Sequence, residues 1–504
     1  MTTSILKPEA EAVGLEPAVV STPPSGGVYR ISHTLASRFA FLLLCSAIVL
    51  SALAYGTVHY WTLALFGLGA VTVLGLWIAD GWRLGVLRIS RNPLQLPLLA
   101  AIFLGFLQLL PARTPEAGPL LSEPAIRSLS FDPYATRLVL VQLVALTIYF
   151  AAALVFTDTP RRLRLLVRTI IVFGFFLAIF GLTQSFTSPN RVYWVRELAQ
   201  STAFGPFINR HHFAGYMELT IALPLGLLFA GSIQKEKRFV YLFVALLMGI
   251  ALITTNSRGG IISLIAEILF LTGVTAFRRR RGHRHRDNAR PRLLAGAAVR
   301  AGLALALILA LFAGVVLTGG EDALTRFVGT VNSDDPTTGR AHFWNVTLEI
   351  IKTHPVLGTG LGAFGVVYTR FDTRNGLYRL EQAHNDYLQV LSDGGIVGAL
   401  IALAFLALLF RIGFARRESN DEFRRGVAIG GLAGCFAVLV HSFFDFTLHT
   451  TSNALLFLIL AALATLDGRV EEGGARRRHR RRRSTAPVAQ GMAPADIPGT
   501  GTLV

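Results

Sequence analysis

The chain has 504 residues, of which 52% are hydrophobic and only 15% are charged, and its formal net charge is +18. Soluble domains carry about 25% charged residues, so this composition excludes an ordinary soluble protein. Apolar stretches of about 20 residues, each long enough to cross a hydrocarbon core of about 30 Å, recur along nearly the whole sequence. The composition therefore predicts an all-α, polytopic helical membrane protein.

Both ends of the chain are polar, unlike the part between them. Residues 1–37 are rich in Pro and Gly and have no apolar stretch near Met1, which argues against a cleavable signal peptide. We interpret residues 1–37 as a disordered cytoplasmic extension and residues 468–504 as a basic, disordered cytoplasmic tail. The basic run at residues 476–483 indicates contact with anionic lipid headgroups, and we expect no nucleic-acid partner.

Run length predicts about twelve transmembrane helices within a single membrane domain, residues 38–467. With the N-terminus in the cytoplasm, every connection predicted to lie inside is rich in Arg or Lys, as the positive-inside rule requires. The largest outer loop then runs from about residue 318 to residue 387. The spans are expected near residues 38–57, 59–79, 93–111, 138–157, 165–185, 212–231, 238–255, 259–277, 296–317, 388–410, 426–446 and 452–467.

A short outer corner, residues 255–260, separates the seventh and eighth predicted spans. It contains Ser257 and Arg258 followed by two glycines. An arginine so close to the membrane surface can grip a phosphate or carboxylate with both of its guanidinium arms. The alternative is an interfacial arginine whose side chain extends along the bilayer surface.

The large outer loop contains an amphipathic helix that begins near Arg340 and includes Trp344. Arg340 is a candidate second anion ligand at a helix N-terminus, although a solvated loop arginine fits the same pattern. The glycine-rich run at residues 358–362 lacks the Lys-Ser/Thr ending of a phosphate loop, and we interpret it as a turn.

A dense polar cluster opens the tenth predicted span and holds Glu381, His384, Asn385 and Tyr387. On a helix Glu381 and His384 share a face, and a carboxylate that orients an imidazole is the arrangement of a general base. Asp386 or another loop carboxylate is the alternative partner for His384. The ordinary pKa of an imidazole, about 6.5, suits a general base near neutral pH. The alternative is a helix cap at Asn385 or Asp386 with Tyr387 in the headgroup belt.

Other polar residues lie at span ends or within spans. The stretch at residues 207–213, with Arg210 and His212, is expected to line the same outer cavity. His441, Asp445 and His449 fall at four-residue steps, which predicts a polar seam along one helix face more readily than a metal site. Glu267 lies in mid-span, where pairing with another span is expected.

Together these motifs resemble the O-antigen ligase and polymerase superfamily of bacterial membrane glycosyltransferases. The resemblance covers roughly residues 200–450, and its motifs match in order, spacing and side of the membrane. It departs from the family at His211-His212, where many members have Asn before His. The residues that carry the resemblance lie at 257–259, 340–344, 354–360, 384–389 and 395–398, with further similarity at 207–216 and 444–446.

The resemblance implies a fold of the GT-C type and an enzyme of the bacterial inner membrane whose active site faces the periplasm. Such an enzyme moves a glycan from undecaprenyl diphosphate to lipid A–core or another acceptor glycan, with no cofactor and no metal. A polymerase of the same superfamily is the first alternative, and a lipid-linked glycan flippase or transporter is the second. The implied catalytic residues are His384, Arg258 and Arg340, and we expect substrate contacts from Arg210, His212, Ser257, Trp344, Glu381, Asn385 and Tyr387.

Overall fold

The computed structural model describes most of the chain between residues 33 and 467. The described residues are 33–113, 126–189, 191–198, 202–276, 301–302, 304–309, 313, 340–374 and 380–467. The predicted terminal extensions therefore lie almost entirely outside the described residues, and α1 already begins at Leu35. The side chain of Thr34 caps that helix by accepting a hydrogen bond from the N–H of Ser37 at 3.0 Å.

The described elements are almost entirely helical. The first eight helices are α1 (Leu35–Leu53), α2 (Tyr60–Leu84), α3 (Gln95–Gln108), α4 (Pro133–Phe156), α5 (Pro160–Thr187), α6 (Arg210–Phe229), α7 (Lys235–Thr254) and α8 (Arg258–Ala276). After residue 339 follow α9 (Arg340–Thr353), α10 (Phe364–Phe371), α11 (Asp386–Arg416), α12 (Glu422–His441) and α13 (Thr451–Thr465). Two antiparallel hairpins interrupt them, β1 (Pro111–Arg113) with β2 (Ile126–Ser128) and β3 (Arg191–Val192) with β4 (Arg196–Glu197).

Nine helices of the described part are long and apolar enough to cross a membrane, which confirms the polytopic helical class. They are α1, α2, α4 to α8, α11 and α12. The predicted spans near residues 93–111 and 452–467 correspond to the shorter apolar helices α3 and α13. The span predicted near residues 296–317 lies largely outside the described residues.

Helix α6 is the centre of the bundle, and almost all of its side chains are buried. It packs closely against α12 because small residues face each other at the contact. A Cβ atom added at Gly226 would lie 2.3 Å from the Cα of Gly430, and one added at Gly434 would lie 2.8 Å from the Cβ of Ala222. This close contact fixes the start of α6 and the end of α12 at the same end of the bundle.

At the opposite end, ion pairs join the ends of α2, α4 and α5. One Arg88 Nη atom lies 2.7 Å from an oxygen of Asp80, and the other lies 2.9 Å from an oxygen of Asp158. Arg162 also contacts Asp158, at 3.3 Å, and donates to the backbone oxygen of Ser37 at 3.1 Å. The two arginines and two aspartates therefore neutralise one another at the end of the bundle that is predicted to face the cytoplasm.

The loop before α11 pairs its backbone with a kink in that helix at Gly395, where φ is +61°. The N–H of Ile396 donates to the oxygen of Pro355 at 2.8 Å, and the N–H of Thr359 donates to the oxygen of Ser392 at 2.9 Å. Gly358, Gly360 and Gly362 all have positive φ, so the glycine run is the turn that the sequence indicated. The kink lets the outer loop dock onto the membrane helix.

We expect Gly395→Ala to destabilise the protein strongly and Gly394→Ala to be tolerated. A Cβ at Gly395 would have positive φ and would lie 2.3 Å from the backbone oxygen of Val356. The neighbouring Gly394 is the matched control, because its Cβ would meet only the Leu104 side chain at an ordinary 3.5 Å. Thermal unfolding in detergent should show a midpoint lower by roughly 5 °C or more for Gly395→Ala alone. Equal midpoints for both variants would contradict the described kink.

Candidate active site

Asp445 lies at the centre of a polar cluster at the predicted outer end of the bundle, and its side chain is 1% exposed. The sequence placed it on one helix face with His441 and His449, and that prediction is wrong. Helix α12 ends at His441, and the chain turns before a short 3₁₀ helix, Thr447–His449. In this turn the N–H of Phe446 donates to the Oδ1 atom of Asp445 at 2.9 Å.

Three cationic or titratable side chains from separate segments meet this carboxyl group. Its Oδ1 atom lies 3.3 Å from Nδ1 of His384, and its Oδ2 atom lies 3.5 Å from a guanidinium nitrogen of Arg340 and 3.7 Å from Nδ1 of His211. Burial raises the pKa of Asp445, but the hydrogen bond from His384, the neighbouring imidazole of His211 and the charge of Arg340 together lower it. The pKa is therefore held well below its usual value, and Asp445 is an ionised carboxylate.

His384 lies outside the helix, and a strained backbone conformation sets the direction of its side chain. Helix α11 begins only at Asp386, and Asn385 caps it by accepting from the N–H groups of Tyr387 and Leu388 at 3.0 and 3.1 Å. His384 itself has φ of +51°, a conformation that costs a non-glycine residue about 1–3 kcal/mol. Its ring packs edge-on against Phe446, with the two centroids 4.8 Å apart.

Glu381 does not orient His384, contrary to the sequence-based expectation. Because no helix runs through residues 381–385, the two side chains do not share a helix face. Glu381 is exposed, and no ion pair joins it to any described residue. Asp445 instead contacts Nδ1 of His384 and favours the tautomer with a proton there, which leaves Nε2 to accept a proton.

Arg340 reaches the cluster from the start of α9. One of its nitrogens donates to the backbone oxygen of Phe444, while the other faces Asp445. Two residues on, Nε2 of His342 lies 2.8 Å from an oxygen of Asp372, which ties α9 to the chain just beyond α10. Trp344 is not joined to Asp445, and its buried indole N–H has no hydrogen-bond partner among the described residues.

The corner at residues 255–260 lies beside the same cluster. The hydroxyl of Ser257 is 2.8 Å from Nδ1 of His211 and accepts from the N–H of Gly260 at 3.3 Å. Arg258, the first residue of α8, is partly buried. Among the described residues, no carboxylate lies within ion-pair distance of Arg258.

At the start of α6, His211, the neighbour of the predicted His212, faces Asp445. The side chain of Asn209 caps the helix by accepting from the N–H of His211 at 2.9 Å. His212 is buried against the ring of Phe446, with the centroids 5.0 Å apart, and its Nε2 atom has no hydrogen-bond partner in the described part of the chain. The N–H of Arg210 donates to the oxygen of Thr202 at 3.0 Å, which anchors the preceding loop.

The predicted ligands Asn385 and Tyr387 hold the turn that carries Asp445. The amide of Asn385 donates to the oxygen of Phe443 at 3.2 Å, and the hydroxyl of Tyr387 donates to the oxygen of Leu439 at 2.7 Å. Between them, Asp386 accepts from Ser442 at 2.7 Å and lies 2.9 Å from Nδ1 of His449. The start of α11 is therefore fastened to the end of α12.

Asp445 was not predicted to belong to the site, and His211 was expected there only as part of the stretch at residues 207–213. The sequence Phe444-Asp445-Phe446, just beyond a span, could have indicated that Asp445 has a cationic partner, because an unpaired charge is costly at that position. The partners of Asp445 are distant in sequence, however, so no local pattern named them. Across the described residues, no group of three or more His, Cys, Asp or Glu is placed to hold a metal ion.

Comparison with known proteins identifies relatives of part of this chain. Residues 243–403 match the family model described as O-antigen ligase, a range that includes Arg258, Arg340 and His384. The chain is also 26% identical over 279 residues to the O-antigen ligase of Pseudomonas aeruginosa. That alignment covers 54% of this chain and 57% of the relative, so the chain spans little more than half of the relative's length.

We expect Asp445→Asn to lower the thermal unfolding midpoint by about 5 °C at pH 7, because Arg340 and two histidines lose their shared anion. The lowered pKa sets the pH dependence. Because the pKa of Asp445 is lower in the folded than in the unfolded protein, its ionised carboxylate stabilises the fold above about pH 4. This stabilisation is lost only as the pH falls through the pKa of Asp445 in the folded protein. Circular dichroism in detergent should therefore show most of the deficit at pH 5 as well. A deficit that disappears between pH 7 and pH 5 would contradict an ionised Asp445.

Proposed function

Because residues 243–403 identify this chain as a member of the O-antigen ligase superfamily, we propose that it is a membrane glycosyltransferase of surface polysaccharide synthesis. In this proposal it moves a glycan from undecaprenyl diphosphate to an acceptor hydroxyl on the periplasmic face of the inner membrane. One observation carries the proposal. His384 and Arg340 meet the buried carboxylate of Asp445, and His211, the third residue at that carboxylate, bonds to the corner that holds Arg258.

The arginines supply the charge that a diphosphate leaving group needs. When the bond from the sugar anomeric carbon to the diphosphate oxygen breaks, both bonding electrons leave with the diphosphate. Arg258 has no carboxylate partner among the described residues, and its planar guanidinium can bind two phosphate oxygens at once. Arg340 shares its charge with Asp445 and is held by the oxygen of Phe444, so it is fixed before the substrate arrives.

His384 and Asp445 supply the base. The acceptor hydroxyl forms its new bond to the anomeric carbon, and its proton passes to Nε2 of His384. Asp445 then stabilises the resulting imidazolium through Nδ1, as the carboxylate does in a catalytic triad. Attack from the side opposite the diphosphate inverts the anomeric centre, and no nucleotide or metal takes part in the step.

The placement of the polar groups favours an enzyme over a flippase. The described candidate residues gather at one end of the bundle, whereas a translocation path needs polar groups across the membrane. Exposed apolar helix faces fit the undecaprenyl chain and membrane lipids. Lipid A–core is the proposed acceptor, and a further glycan repeat unit, which would make the protein a polymerase, is the second candidate.

Purified protein in lipid vesicles tests the proposal. A labelled glycan on undecaprenyl diphosphate is supplied with an acceptor, and both transfer and movement across the bilayer are scored. We expect glycan on the acceptor together with free undecaprenyl diphosphate. Movement of intact donor without transfer would contradict the enzyme and support the flippase.

Arg258→Ala should slow transfer by about 10²–10³-fold, because one preorganised group for the leaving diphosphate is lost. Arg258→Lys should recover only part of the rate, since a single ammonium cannot bind two oxygens in the same geometry. Arg191→Ala is the matched control: Arg191 is half exposed on the same predicted side and pairs with Glu197 at 3.3 Å. A well-folded Arg258→Ala variant with the rate of the control would remove Arg258 from the mechanism.

His384→Ala should abolish transfer while leaving donor affinity within about threefold of the parent, because the base acts on the acceptor rather than on the diphosphate. His59→Ala, on the same predicted side but bonded to Arg196, should leave both quantities unchanged. Turnover is measured by product formation and affinity by donor binding. Lost affinity with normal turnover of bound donor would make His384 a phosphate ligand instead.

Treatment with EDTA should leave transfer intact, because the arginines supply the charge that a divalent ion provides in other glycosyl transfers. The measurement compares initial rates before and after exhaustive chelation. A rate that vanishes with chelator and returns with Mg²⁺ or Mn²⁺ would overturn the metal-free mechanism.

A further inference from the structure

A buried chain of hydrogen-bonded side chains leads from inside the membrane to the site. Oε1 of Glu218 lies 2.7 Å from Nδ1 of His441, and Nε2 of His441 lies 3.5 Å from the hydroxyl of Ser257. That hydroxyl is 2.8 Å from Nδ1 of His211, which faces Asp445. The side chains of Glu218, His441 and Ser257 are all completely buried.

The ring of His441 is also the surface on which the arginine corner rests. A Cβ atom at Gly259 would lie 2.6 Å from Cδ2 and 2.9 Å from Nε2 of His441. Only glycine lets the backbone beside Arg258 approach the imidazole this closely. Position and tilt of the ring therefore determine where the first turn of α8, and with it Arg258, stands.

The pairing of His441 with Glu218 fixes that ring. Both ring nitrogens are engaged, so neither a rotation nor a change of tautomer is free of cost. A buried carboxylate inside a membrane is costly and is kept only where it does something. The second oxygen of Glu218 has no hydrogen-bond partner among the described residues, so the pair is not arranged for stability alone.

We infer that Glu218 and His441 are positioning residues that hold the Ser257–Arg258–Gly259 corner in register with the donor diphosphate. The inference rests on the proposed function, because it takes Arg258 as the ligand of that diphosphate. Neither residue was predicted to belong to the site. Glu267 provides the contrast: it is equally buried, but no hydrogen bond joins either of its oxygens to another described residue.

Affinity for undecaprenyl diphosphate without a glycan, measured on the full chain in nanodiscs, tests this positioning. Glu218→Gln and Ser257→Ala should each weaken binding about tenfold or more, because misplacement of a group by about 1 Å is enough for such losses. The matched control, Thr275→Ala, should stay within about twofold of the parent. It removes a buried hydroxyl of α8 that bonds only to the backbone oxygens of Leu271 and Thr272, away from the corner.

A second comparison separates positioning from a general structural role. If Glu218 acts through Arg258, then Glu218→Gln added to Arg258→Lys should weaken binding by less than about twofold further, since coupled residues are not additive. A merely structural residue would weaken binding by the same factor in both backgrounds. Thermal midpoints identify a variant that fails to fold, and in that case Ser257→Ala carries the test, because it removes one hydroxyl only.

The inference would be overturned if Glu218→Gln weakened binding by the same factor in the Arg258→Lys background as in the parent. It would also be overturned if the control variant lost as much affinity as Glu218→Gln. The proposed function fails by a different result, namely a parent that binds undecaprenyl diphosphate through Arg258 but transfers no glycan. Because the lipid diphosphate without glycan reports binding alone, the positioning result is decided even then.

Discussion

The charge of one buried carboxylate organises the site. An ionised carboxylate in a low-dielectric interior is strongly unfavourable unless cations and hydrogen-bond donors surround it. At Asp445 the guanidinium of Arg340 is the cation, and His384 and the N–H of Phe446 are the hydrogen-bond donors, while His211 lies 3.7 Å away. Arg340, His384 and His211 lie on three different segments of the chain. The outer loop, the start of α6 and the turn after α12 must therefore converge on one point. In the proposed reaction this convergence places the base and a phosphate-binding arginine side by side.

The membrane helices make that convergence possible. Because α6 and α12 touch through glycines, the ends that carry His211 and His441 are held at one level, and the corner before α8 packs onto them. The kink at Gly395 lets the backbone of the outer loop pair with α11, and His384 lies just before the start of that helix. Rigid helices and short caps set the geometry, which is the preorganisation that electrostatic catalysis requires.

The sequence predicted the fold better than the site. Spans were found because the apolar length of a helix is a local property, and Arg258, Arg340 and His384 stood out because polar groups at membrane boundaries are costly. The prediction that Glu381 orients His384 was wrong for a physical reason. The expected helix does not include residues 381–385, since Asn385 caps α11 and ends the helical periodicity on which Glu381 depended. Similarly, α12 ends at His441, so the four-residue spacing from His441 to Asp445 does not place the two side chains on one helix face. The remaining contacts of the site join segments that are distant in sequence, and local spacing cannot predict these contacts.

The most direct measurement is an experimental structure of the protein in nanodiscs with a non-transferable glycan on undecaprenyl diphosphate. We expect the diphosphate between Arg258 and Arg340, with Nε2 of His384 on the opposite side of the anomeric carbon and Nδ1 of His384 still in contact with Asp445. Hydrogen-bond distances of about 2.7–3.0 Å from both arginines to phosphate oxygens are expected. A diphosphate bound instead at the opposite end of the bundle, beside Arg88 and Arg162, or one that leaves His384 out of reach of the anomeric carbon, would contradict the proposed mechanism.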